Sequence, residues 1–378
     1  MKQEEIDTVN EPIVEYEDIG SNTLMEEPFN PKLIDIKQKN LSIDLIRKRL
    51  EANPKEIDLY PDFQRKDDLW DSIRQSQLIE SILINFPLPA FYFDGTENNK
   101  WLIVDGLQRL STIRNFIIDK KLTLTGLEFL KQLEGKKFEE LPRTLQRQIE
   151  ETQIVAYIIN PGTPLKVKFN IFKRINTGGL VLTSQEIRHA LNQPIPAKFV
   201  ALLANSKEFK EATHFKINTE RMLDREFVTR FITFYTKPIT DYSPDLDSYM
   251  NDRMSDIKLL NDKQRKKLEE EFLESMKLAK SVFGRWAFRK VFTDSYSERL
   301  KPINKALFEV WSVEFAKLNE LQRNKVKASS KLLFKEFIKL MNSDDRFIDS
   351  ITSSTGDRTR VIYRFKTIEN LIQKLITS

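Results

Sequence analysis

Three short stretches set side chains that can do chemistry beside backbone turns. The first is "WLIVDGLQRLSTIRNFI", residues 101–117: a short buried strand, an Asp105-Gly106 turn, then a helix that opens on Leu107, Gln108 and Arg109. Gly106 can take backbone angles that other residues resist, so the helix can begin at once. The first-turn N–H groups of such a helix lack partners and attract anions. Asp105 could there ligate a metal, orient a water or cap the helix. Helical spacing sets Leu107, Leu110, Ile113 and Ile117 on one face, to pack on a sheet, with Gln108 and Ser111 off it and Arg109 at its edge. Spacing alone leaves open both a phosphate site and a capped structural turn.

The second stretch is "YPDFQRKDDLW", 60–70, in which Gln64 and Arg65 follow a strand end as Gln108 and Arg109 do. A forked guanidinium suits phosphate oxygens, and Gln can place a water or meet a polar edge. Arg65 paired with Asp67 or Asp68 on the surface is the plain alternative. The third is "FNIFKRINTGGLVLTSQEIRHAL", 169–191. Val167, Ile171 and Ile175 anchor a helix whose Arg174 leaves the apolar stripe. Asn176, Thr177 and Gly178 then make a turn whose backbone can approach a ligand closely. "TSQE" is a capping box, with Thr183 or Ser184 as cap and Glu186 near the third position.

The elements that must position these residues fall into two parts. Strands are expected at 56–60, at "AFYF", at "WLIVD" and at 152–160, with helices over 33–50, 68–86, 107–118, 164–176 and 184–191. In the 68–86 helix Leu78, Ile79, Ile82, Leu83 and Phe86 form the apolar stripe and Glu80 falls outside it. About four strands make a small mixed sheet. After residue 195 only helical periodicity is seen, over 221–236, 255–281, 303–321, 329–342 and 364–376, which indicates a bundle. The expectation is an α+β chain: an acidic, flexible 1–30, an α/β domain over 31–195 and a helical domain over 196–378.

Composition narrows the class. The 378 residues contain no cysteine, which excludes disulfides and thiol catalysis and fits a cytoplasmic protein. No apolar run approaches the roughly 20 residues that span a bilayer. The net charge of +5 hides a gradient: −8 over residues 1–30, +5 over 31–200 and +8 over 201–378. An acidic head could touch the basic body or screen a nucleic-acid surface. Lys331, Lys335 and Lys339 recur every four residues opposite Leu332, Phe334 and Ile338, which suits either a DNA backbone or a solvated face. "SSTGDRTRVIYRF", 353–365, carries Arg358, Arg360 and Arg364 in a loop that could close on an anion.

Together the three stretches resemble the N-terminal domain of GmrS/GmrD-type restriction systems, a family marked by a DGQQR signature. Here the signature reads "DGLQR", with Leu107 in place of the first Gln. "PDFQR…W…QLIESILINFPLP" and "FKRINTGGLVLTSQEIR" are similar to the family's flanking motifs in order and spacing, and "RMLDREFVTRF" to the charged helix that follows. The likeness covers roughly residues 40–235. It implies a ParB- and sulfiredoxin-like fold and a module that binds, and can hydrolyse, a nucleoside triphosphate with Mg²⁺, without a P-loop. By position Asp105, Gln108, Arg109 and Gln64 would act in catalysis, with Asp105 also holding the metal. Arg65, Gly106, Ser111, Arg174, Asn176, Thr177 and Gly178 would bind the nucleotide.

Members of the family often end in a His-Asn-His nuclease domain, but this chain has only His189 and His214. His189 is expected to be partly buried or on the surface, and any cutting to come from a partner nuclease subunit. The leading expectation is therefore an NTP-binding component of a bacterial anti-phage defence or restriction system that acts on or senses DNA. The alternative is a non-catalytic DNA- or partner-binding regulatory subunit with a vestigial nucleotide pocket. A nuclease acting through the cleft itself ranks third, because one Asp and two Gln-Arg pairs make a poor metal site. No membrane partner is expected.

Overall fold

The computed structural model describes residues 13–19, 30–59, 70–97, 100–175, 182–292 and 300–377. The chain is α+β and divides into two compact units, Phe29–Val181 and Met1–Pro28 with Leu182–Ser378. The first unit carries the sheet, and the second is helical.

The sheet has the strand order β1 (Ile36–Ser42), β5 (Gln153–Ile159), β3 (Phe91–Glu97), β4 (Lys100–Asp105), β2 (Ile57–Asp58). β1 lies antiparallel to β5 and β3 antiparallel to β4, while β3–β5 and β2–β4 run parallel. β1 corrects the expected helix over 33–50. It is an edge strand in which only Leu41 is buried, so its polar "IKQKN" shows no alternation to distinguish it from a helix. The helix there, α1 (Ile43–Glu51), starts only at Ser42, whose hydroxyl accepts from the Leu45 N–H at 3.2 Å.

Helix α2 (Ser72–Leu83) starts at Asp71, which accepts from the Arg74 N–H at 2.8 Å. Its buried face holds Leu78, Ile79, Ile82 and Leu83 as expected, but Phe86 lies beyond the helix and is exposed. Glu80, placed outside the stripe by spacing, is 4% exposed. Its carboxylate accepts the N–H groups of Glu128, Phe129 and Leu130 at 2.7–2.9 Å, so the helix uses a buried anion to hold a loop. Burial pushes this carboxyl up, but the three amides outweigh it and hold it below the usual range. Helix α3 (Leu107–Ile113) continues into a π-helical turn, Arg114–Ile118, and α4 (Arg143–Glu151) and α5 (Leu165–Ile175) complete the unit.

The helical unit runs α6 (Ser184–Leu191), α7 (Ile195–Asn205), α8 (Lys207–Ala212), α9 (Leu223–Tyr235), α10 (Leu246–Asp256), α11 (Asp262–Phe283), α12 (Lys305–Ala316), α13 (Glu320–Ala328), α14 (Ser330–Ser343), α15 (Asp345–Thr352) and α16 (Arg358–Thr377). Every residue of α12 from Ala306 to Ala316 is buried, the charged Glu309 and Glu314 included. Phe308 meets Phe209, Phe227 and Phe288 edge-on, and Trp311 meets Phe283 and Phe337 likewise. Thr183 caps α6 in the expected box with Glu186. On α14 the lysines are exposed, but the buried face is Leu333, Phe337 and Met341, and Leu332 is 52% exposed. The 358–364 arginines do not wait for an anion. Arg358 donates to the Thr240 carbonyl, Arg360 to those of Asp349 and Ser353, and Arg364 is buried against Glu309. Residues 13–19, part of the acidic head, are seated on this unit, the Glu15 N–H bonding the Ile303 carbonyl at 2.9 Å.

Candidate functional site

Strand β4 passes to α3 through Gly106, whose φ is +99°. A Cβ there would stand 2.6 Å from the Phe91 ring, so both the left-handed backbone and the close packing require glycine. Asp105 does not cap the helix: α3 has no side-chain cap. Instead Arg109 reaches back one turn and donates to Asp105 Oδ2 at 2.9 Å. The same guanidinium donates to the Ala90 carbonyl at 3.1 Å and to the Pro89 carbonyl, and lies 4.4 Å over the Phe91 ring. Burial pushes the Asp105 carboxyl up, opposed by Arg109, and pulls Arg109 down, opposed by Asp105. Arg109 is thus inside rather than at the edge of the stripe, its fork spent on the strand–turn–helix junction. Leu107, expected in the stripe, is only half-buried.

The opposite face of α3 borders a cleft of about 710 Å³. Ser111, Arg114 and Asn115 line one side, and Trp70, Asp71, Ser72 and Gln75 the other, with Lys121 at its end. Residues 109 and 111 differ by about 200° around a helix, so Ser111 and Arg109 cannot face one ligand from the same side. Asn115 Nδ2 donates to Gln75 Oε1 at 3.3 Å across the cleft, and Arg114 pairs with Asp119 at 3.3 Å. The π turn that begins at Arg114 belongs to this wall; such turns are frequent at functional sites.

Gln108 is half-buried on α3, and Arg174 is exposed on the last turn of α5. Gln64, Arg65, Asn176, Thr177 and Gly178 lie outside the described residues. Topology nonetheless bears on the two Gln-Arg segments. β2 and β4 are parallel neighbours, Ile57 opposite Trp101 and Asp58 opposite Leu102. β2 and β4 therefore end on the same side of the sheet, as adjacent parallel strands.

Two pairs beside this edge escape a reading of the sequence. Tyr92, opposite Asp105 in the sheet, stacks on Tyr157 with ring centroids 5.0 Å apart. The alternation of "AFYF", with Phe91 and Phe93 buried, was the available signal. Lys168 on α5 pairs with Asp94 at 3.1 Å, both side chains under one-tenth exposed; a lysine inside a helix's apolar face gives no such signal. Among the described residues no group of three or more His, Asp or Glu could hold a metal. His189 is 2% exposed, not partly buried or on the surface, and touches Arg225.

A mixed sheet with a Gly-turn strand–helix junction defines an α+β site module, and the comparisons agree with its motifs. Residues 44–193 match the family model described as "GmrSD restriction endonuclease, N-terminal domain". That stretch bears the signature and its flanks. No curated protein and no solved structure matches the chain. No helix among the described residues is long and apolar enough to cross a membrane.

Proposed function

We propose that the α/β unit binds a nucleoside triphosphate at the edge where β2 and β4 end, and serves as the nucleotide-responsive component of a restriction or defence system acting on DNA. The parallel pairing of β2 and β4 supports this reading, since these neighbouring strands end on the side of the sheet where open α/β sheets take their ligands, and each Gln-Arg pair follows one of them in the sequence. Arg65 and Arg174 are the guanidiniums for phosphate oxygens, and Gln64 and Gln108 the side chains for a water or a polar edge. Asp105 supplies one carboxylate at this edge, and Arg109 occupies one of its oxygens. Mg²⁺ on a triphosphate typically needs only one or two protein oxygens, and its role would be to offset phosphate charge. Exposed Lys331, Lys335 and Lys339 are the surface for a DNA backbone, and a partner subunit supplies the nuclease.

The commitment of Arg109 to Asp105 and to backbone carbonyls favours a second reading, in which nucleotide is bound without turnover. Phosphate release from the four common NTPs with Mg²⁺ separates the two. Hydrolysis predicts release that falls at least tenfold in Gln108→Ala; binding alone predicts a saturable complex and no release. Release that neither Gln108→Ala nor Arg65→Ala alters would refute this site.

A further inference from the structure

Residues 13–19, "IVEYEDI", lie extended on the helical unit and are held there almost entirely by polar groups. The Glu15 N–H donates to the Ile303 carbonyl at 2.9 Å, and the Ile303 N–H to the Ile13 carbonyl at 3.0 Å. At the other end the Thr355 N–H donates to the Asp18 carbonyl at 2.9 Å, and the Ser354 N–H to Asp18 Oδ2 at 3.2 Å. Two carboxylates two residues apart enter two cationic sockets. Glu15 takes Lys290 at 2.5 Å and Asn304 at 2.9 Å. Glu17 takes both terminal nitrogens of Arg230, at 3.0 and 2.5 Å, and the Thr355 hydroxyl at 2.6 Å. Lys305 stands 3.8 Å from it.

The second socket is deep. Arg230 also bonds Glu226 at 3.0 Å and Glu309, and Arg364 bonds Glu309 at 2.6 Å. Glu309 and Arg364 are wholly buried, so Arg230, Arg364 and Lys305 are balanced against Glu17, Glu226 and Glu309 only while Glu17 is seated. The apolar share of the contact is small: Tyr16 is 89% exposed, Ile13 51% and Ile19 37%, with Val14 alone resting on the core. A segment with main-chain pairing, one buried carboxylate (Glu17), one half-buried one (Glu15) and little apolar anchorage has the character of a bound peptide rather than of a core element.

We propose that this groove of the helical unit is a receptor for an extended acidic peptide of Glu-x-Glu-Asp pattern, with residues 13–19 as its resident and exchangeable ligand. The linked segment competes at an effective concentration on the order of millimolar, so a free peptide enters only when the resident one is weakened. The test uses the full chain carrying Glu15→Gln and Glu17→Gln, with a fluorescein-labelled peptide of residues 11–20, EPIVEYEDIG. Fluorescence anisotropy should show saturable binding to the variant, at least tenfold weaker to the wild-type chain and at least tenfold weaker for a peptide with Gln at both positions. No binding to a variant whose circular dichroism and thermal midpoint match the wild type would overturn the proposal, as would equal binding of the Gln peptide. Should the variant fail to fold, hydrogen exchange on the wild type decides. The Glu15 and Thr355 amides should exchange well ahead of the Trp311 amide in α12; exchange of all three at one rate would overturn it.

Discussion

Burial, with the Arg225 guanidinium at 3.0 Å, lowers the pKa of His189 to about 3. The unfolded chain takes up a proton near pH 6.5 and the folded one does not until about 3, so stability falls as pH drops through that window. The expected slope from this one group is about 1.4 kcal/mol per pH unit. Urea unfolding between pH 7 and 4 should lose that component in His189→Gln, and an unchanged slope would contradict the burial. Sequence could name His189 but not its state, because the burying neighbours come from α9, far along the chain. The same limit applies to Arg109. Its type and place suggested a phosphate ligand, while its partners Pro89 and Ala90 come from the entrance of β3, which no spacing rule connects to it. Gly106 was legible for a local reason: only glycine suits a left-handed residue between strand and helix.

Among elements, those with a strong period and a clear cap were legible. α6 with its Thr183–Glu186 box and β4 with its turn fall where the residues put them. Edge strand β1 and the helices α4, α7, α8, α10, α13 and α15 were not, since solvent-exposed edges and helices of two or three turns carry little pattern. Buried charge was the other blind spot. Glu80 and Lys168 sit on faces that periodicity assigned to solvent or to apolar groups, and each is stabilised by a partner some 50 to 74 residues away. The Asp94–Lys168 pair ties α5 to β3. Lys168→Met alone should cost about 3 kcal/mol, because Asp94 would remain buried without the charge of Lys168 beside it. Asp94→Leu with Lys168→Met should recover most of that loss. Chemical denaturation of the single and double variants checks both, and additive losses would show that the pair is not a unit.

For the whole molecule, the chain order conceals the division of labour. The α/β unit is inserted between residues 13–19 and the rest of the helical unit, so the helical unit closes only with a segment from the far amino end. A linear reading saw an acidic head and a basic body but not that Glu17 completes a buried charge balance. The family match ends near where α6 ends and leaves most of the helical unit unmatched. Each unit holds two of the four tryptophans, Trp70 and Trp101 in one and Trp286 and Trp311 in the other, so ligand effects on the two can be followed apart.

Calorimetric titration of the full chain with non-hydrolysable triphosphate analogues and Mg²⁺ tests the nucleotide site most directly. One analogue should bind saturably at one per chain, with affinity at least tenfold lower in Arg65→Ala and Arg174→Ala while their thermal midpoints stay at the wild-type value. No heat with any analogue, or binding that both variants leave unaltered, would contradict a nucleotide site at the β2–β4 edge.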